Sequence, residues 1–185
     1  MGPLHERAPN TLDTRSMSPT LQNDRNAYAL AVLRISVGLF FLIFGEYKVL
    51  GTQFTRGGGF QSWINKFLDG GVYPFMDPML RNFVLPYATP IAFAVAYSEL
   101  CIGLELVLGI LVRPASVGGL ALMLAMLFSS DYPGAHAPLW QFFGASLSHS
   151  ILALCFAAFL IGRADEVCSV RTWRVRTKKA RHVGL

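Results

Sequence analysis

Four ionisable side chains sit in apolar surroundings where a charge is costly: Arg34, Glu99, Glu105 and His149, with Lys48 at the edge of the same kind of segment and Glu46 close to it. Each such group costs about 2.5–3.5 kcal/mol at the centre of a membrane helix, so each needs a partner or a purpose. A carboxylate facing an imidazole suits proton handling, because each moves the other's titration toward neutrality. Glu99 and His149 are the candidates for that chemistry. The same two groups can equally serve as a hydrogen bond that ties two helices together. Arg34 and Glu105 are of opposite sign and similar depth, about 10 Å from one face at the helical rise, and are expected to pair as a structural ion pair. Lys48 completes the set of structural buried charges.

The elements that must carry these groups are four apolar blocks. Hydrophobic residues make up 53% of the 185 residues and charged ones only 15%, well below the roughly 25% usual in a soluble domain. The blocks predict spans at about 27–49, 90–112, 114–130 and 139–162, each a helix within a 27–162 membrane domain. Residues 1–26 read as a disordered tail without the apolar core or cleavage pattern of a secretory signal. Residues 163–185 form a basic tail, and residues 50–88 an aromatic-rich interfacial segment. Within that segment Phe60, Trp63, Ile64, Phe67 and Leu68 follow helical spacing. They read either as a short helix lying in the membrane surface or simply as part of the aromatic belt. Pro90 is placed to open the second helix, and Arg113-Pro114 to make a tight turn before the third.

Charge placement orients the bundle. Lys and Arg of the two tails and of the Arg113 turn number eleven, against four at Lys48, Arg56, Lys66 and Arg81 on the other side. With an even number of spans, that bias predicts an all-α, four-helix membrane bundle with both termini cytoplasmic. The net charge of +5 therefore marks a membrane side and anionic lipid contact rather than nucleic-acid binding. Cys101, Cys155 and Cys168 make no C-x-x-C pair, so neither a dithiol nor a metal site is expected. His136 lies outside the spans, which argues against bis-histidine haem ligation with His149.

Within the first block Arg34, Gly38, Phe41, Gly45 and Lys48 share one helix face. On the second, Ala92, Ala96, Glu99 and Gly103 form a small-residue face around one carboxylate, and Ala145, Ser146, His149 and Ala153 form a similar face on the fourth. The R-x-x-x-G-x-x-F-x-x-x-G-x-x-K spacing from Arg34 to Lys48 resembles the start of the DoxX/DoxD family of bacterial membrane proteins. So do Gly70-Gly71-Val72-Tyr73-Pro74 with Phe83-Val84-Leu85-Pro86, which are similar to a DoxD-type loop. Glu99-Leu100-Cys101-Ile102-Gly103-Leu104, Gly109-Ile110-Leu111-Val112-Arg113 and Gly162-Arg163-Ala164-Asp165 continue the resemblance in order. The resemblance implies a multi-pass protein of the bacterial inner membrane and, in the DoxD branch, a subunit of thiosulfate:quinone oxidoreductase. The cofactor implied is a quinone, with no covalently bound group, and the partners implied are the lipid bilayer and a second redox subunit. A non-enzymatic scaffold or small-molecule carrier is the alternative, and nothing in the pattern sets an oligomeric state.

Overall fold

The first helix is built to be turned inward along one stripe only. In the computed structural model, which describes residues 19–144, 147–162, 164–165 and 167–170, α1 runs Pro19–Leu50. It starts before the expected span, so residues 19–26 of the anticipated tail are helical. Residues 1–18 lie outside the described residues. The predicted stripe of α1 faces the bundle: Arg34 is fully buried, Val37 and Phe41 nearly so, while Leu39, Phe40, Ile43, Phe44 and Tyr47 point outward.

Helix α5, Ala88–Leu108, is the main partner of α1 and runs antiparallel to it. The glycines explain how closely the two approach. A Cβ on Gly38 would touch the Gly103 carbonyl at 3.0 Å, and one on Gly45 would come within 2.8 Å of the Leu100 nitrogen. Backbone therefore meets backbone, the arrangement small residues permit between membrane helices. Ala92, Ala96, Glu99 and Gly103 of α5 are all buried, as their shared face predicts. Pro90 lies in the first turn, where its missing N–H costs nothing.

Between α1 and α5 the chain forms α2, Thr52–Thr55, α3, Gly59–Gly70, α4, Asp77–Met79, and a π-helical turn, Leu80–Val84. These pieces hold their own apolar cluster of Ile64, Val72, Leu80 and Val84, with Phe60, Phe67, Leu68 and Ile91 against it. The helix expected from Phe60 to Leu68 exists as α3. Its Phe60, Ile64, Phe67 and Leu68 are turned onto this cluster, while Trp63 stays exposed.

Helix α6, Val112–Ser129, follows a turn in which Gly109 and Leu111 take left-handed backbone conformations. The tight turn thus precedes Arg113-Pro114, which fall inside the first turn of α6, a position proline tolerates. Helices α7, Leu139–Gly144, and α8, Leu147–Ile161, make up the fourth apolar block, and α8 packs mainly on α6. At 15 residues α8 reaches only about 22 Å. Among the described residues three helices, Arg25–Leu50, α5 and α6, are long and apolar enough to cross a membrane. No strand occurs among the described residues.

Phe156 of α8 seals the centre. Its ring is fully buried, lies edge-on to Phe41 at 5.2 Å between centroids, and packs over Gly119 of α6. A Cβ on Gly119 would overlap that ring. Gly119→Ala is accordingly expected to lower stability by about 1–3 kcal/mol, the usual penalty of overpacking. Thermal unfolding in detergent checks this, and adding Phe156→Leu should relieve part of the loss.

Candidate functional site

Lys48 lies near the end of α1, yet that end is level with the middle of α5, and the α2–α3 region packs on the N-terminal half of α5. The lysine stem reaches along the helix and its Nζ donates to Glu99 Oε1 at 2.6 Å. The two side chains are 19% and 10% exposed, so this is a shielded ion pair within the helix bundle. Lys48 Nζ also stands 5.0 Å from the centroid of the Phe54 ring in α2, a cation–π contact on its other side. One layer out, Arg56 lies over Phe93 of α5 at 5.7 Å.

Glu99 is only partly satisfied by this arrangement. Its Oε2 is buried and has no hydrogen-bond partner among the described residues. The expected direct pairing of Glu99 with His149 is replaced by the Lys48 bond. A primary ammonium on a long stem reaches the carboxylate from the adjacent helix, whereas His149 projects from α8, which packs chiefly on α6. His149 is half-buried and within electrostatic reach of both Lys48 and Asp131. Asp131 is exposed at the end of α6 and holds a left-handed backbone conformation. Burial thus increases from the exposed Asp131, through the half-buried His149, to the shielded Lys48–Glu99 pair. Ala145 and Ser146, predicted to share the His149 face, lie outside the described residues.

An aromatic cluster stands beside the exposed end of this series. Tyr73 is 4.9 Å from Tyr132 and 5.2 Å from Phe128 between ring centroids, and Phe142 joins at 6.2 Å from Tyr132. Two backbone bonds hold it: the Tyr73 N–H donates to Phe128 O at 3.2 Å and the Tyr132 N–H to Gly71 O at 3.1 Å. Burial, and the neighbouring Tyr132, push the Tyr73 phenol above its ordinary range, so it stays a neutral hydroxyl.

Arg34 is used differently from the expectation. Its guanidinium donates to Ala164 O at 2.6 Å and Cys168 O at 2.7 Å, with Val167 O at 3.5 Å. The expected ion pair with Glu105 does not form, and Glu105 is half-buried on α5. The physical reason is geometric: the segment after α8 folds back over α1 and offers non-helical carbonyls that match the planar fork of donors. Gly109 makes room for it, since a Cβ there would meet Arg34 Nη1 at 2.8 Å and the Ser169 side chain at 2.6 Å. None of these carbonyl acceptors announces itself in the sequence. The role of Phe54 was hidden too, because a single phenylalanine in an aromatic-rich segment carries no spacing signal.

The three cysteines are free, and no cluster able to hold a metal occurs among the described residues.

A family model described as DoxX matches residues 29–130, more than half of the chain. The chain belongs to the DoxX family. The matched region takes in Arg34, Lys48, Glu99 and Glu105, and stops before His149 and before the carbonyls that hold Arg34. The Lys48–Glu99 bond is therefore internal to the DoxX region, whereas the His149 and Arg34 environments join it to sequence beyond. No curated protein and no solved structure matches the chain. With its apolar helices, family membership makes this a membrane protein.

Proposed function

We propose that this DoxX-family protein is the membrane subunit of a quinone-linked redox system, of the DoxD, thiosulfate:quinone oxidoreductase type, in a bacterial inner membrane. In this reading the fourth apolar block completes a four-span bundle with both termini cytoplasmic. The observation that carries the reading is Glu99 Oε2, a buried carboxylate oxygen with an unmade hydrogen bond beside a lysine donor. Reducing a quinone to its quinol takes two electrons and two protons, and the protons must be delivered in an apolar setting. The Lys48 ammonium suits donation toward a quinone oxygen, and Glu99 suits accepting and passing a proton. His149 and Asp131 suit resupply from the exposed side. The electrons would come from a reduced sulfur anion such as thiosulfate, two ions joining through a new sulfur–sulfur bond, directly or through a second redox subunit.

The test is reduction of a short-chain quinone by thiosulfate in proteoliposomes, with the protein alone and with a co-expressed neighbouring subunit. Glu99→Gln is expected to lower kcat by about 100-fold, the scale of a lost proton-transfer group. His149→Ala should lower it less and shift the pH profile. No quinone reduction under either condition overturns the reading. A second reading, a non-enzymatic scaffold or small-molecule carrier, is favoured by the way Arg34 and Lys48 both bond groups within the chain. It expects the same two variants to change thermal stability or partner capture and to leave any redox activity in place.

A further inference from the structure

The segment leading into α5 has two apolar faces where one is enough for folding. Met76, Leu80, Val84 and Ala88 recur every four residues and are all buried, at 7%, 2%, 7% and 3% exposure. One position earlier in each turn, Phe75, Met79, Phe83 and Tyr87 recur at the same interval and stand 60%, 46%, 58% and 56% exposed. Leu80 and Val84 of the first row belong to the cluster shared with α3. Neither buried cluster includes the second row, and Phe75 at its start lies edge-on to Phe128 of α6 at 5.4 Å between centroids. Its rings associate along the stripe, Phe83 with Tyr87 at 5.7 Å between centroids. The charged groups of the same segment pair with each other, Arg81 Nε donating to both carboxylate oxygens of Asp77 at 3.1 Å.

We propose that residues 75–87 lie in the plane of the membrane, with the Phe75–Met79–Phe83–Tyr87 stripe sunk into the headgroup and acyl boundary of the bilayer. Three observations favour lipid over a protein occupant. The stripe ends at Tyr87, and the next residue begins α5, one of the helices long and apolar enough to cross a membrane, so the two apolar surfaces are continuous. Its composition, two phenylalanines, a methionine and a terminal tyrosine, suits the interfacial zone, where ring bodies bury and a phenolic oxygen stays wet. The Asp77–Arg81 ion pair then marks the water-facing side of the same turns. The sequence leaves the Phe60–Leu68 segment open between a surface helix and an aromatic belt, and in the structure Phe60, Ile64, Phe67 and Leu68 of α3 face the protein interior while Trp63 stays exposed. The lipid-seeking surface is transferred to the next segment, whose double apolar row is masked in the sequence by Pro78 and by the Asp77 and Arg81 charges.

Spin labels placed singly at 75, 77, 79, 81 and 83, in full-length protein with Cys101, Cys155 and Cys168 replaced by alanine, test this in phospholipid vesicles. The expected result is a rise in the ratio of oxygen to water-soluble nickel-chelate collisions at 75, 79 and 83, and a fall at 77 and 81. Chelate-accessible labels at 79 and 83 would place the stripe in water and overturn the proposal. Labels there shielded from both probes would mean that a second copy or another protein covers it, which overturns it equally. Should a label prevent folding, Phe83→Trp reports the same depth through extra fluorescence quenching by brominated lipid chains, relative to the unmodified protein. An absence of added quenching counts against the proposal.

Discussion

Lys48→Met is expected to cost about 3–5 kcal/mol of bundle stability, the penalty for leaving a buried charge without its partner. Glu99 has no second donor to fall back on among the described residues: Oε1 takes its hydrogen bond from Lys48, and Oε2 has none. Removing the lysine strands the whole carboxylate inside the helix bundle. The opposite single change, Glu99→Gln, should cost clearly less. Lys48 is the more exposed partner, retains its contact with the Phe54 ring, and can swing its ammonium toward the membrane surface. Lys48→Met combined with Glu99→Leu should recover most of the loss, since a well-packed apolar pair replaces buried ions at little cost. Unfolding of all four proteins in mixed micelles gives the double-mutant cycle. Equal losses in the two single variants, with no recovery in the double, would show that the two side chains act independently.

Arg34→Met should produce a loss by another route. Three backbone carbonyls, at Ala164, Val167 and Cys168, receive the guanidinium. The buried Ala164 carbonyl left unsatisfied costs about 1–3 kcal/mol, and the more exposed Cys168 carbonyl, which water can reach, adds less. The loss should be local in character: residues 164–169 detach from α1 and from Gly109 while the α1–α5 contact persists. Limited proteolysis should then cut within 164–170 in the variant and spare the parent protein. Arg34→Lys is expected to restore only part of the protection, because one ammonium cannot reproduce a planar fork reaching two separated carbonyls. Unchanged cleavage in Arg34→Met would remove the cradle from the account of stability.

Much of the interior was readable in the sequence because it is written in helical spacing. Arg34, Gly38, Phe41, Gly45 and Lys48 recur on one face of α1, and that face is the buried one. Ala92, Ala96, Glu99 and Gly103 do the same for α5. What spacing does not encode is which charge meets which. Matching depths counted from span ends assumed that all helices begin and end at the same level, and that each charge seeks an opposite charge. Both assumptions fail for physical reasons. The end of α1 lies at mid-height on α5, which brings Lys48 to Glu99. The two terminal nitrogens of Arg34 are met by carbonyl dipoles of an irregular segment, a kind of partner that every residue possesses and no residue type advertises. The Phe60–Leu68 helix was legible as a helix, but periodicity marks an apolar face without saying whether protein or lipid will cover it.

The Arg34 cradle also bears on the order in which the chain matures. A ribosome delivers α1 well before its partners: Glu99 follows Lys48 by 51 residues, and the carbonyls of Ala164 and Cys168 follow Arg34 by 130 and 134. During that interval α1 holds a guanidinium at bilayer depth, a position worth about 2.5–3.5 kcal/mol against insertion. Until the end of α8 has emerged, the guanidinium lacks these carbonyls and is expected to reach toward the headgroups instead. Synthesis halted between Ile161 and Cys168 would yield a chain with every apolar helix made and its first one still unsettled, the state a membrane quality-control protease would recognise.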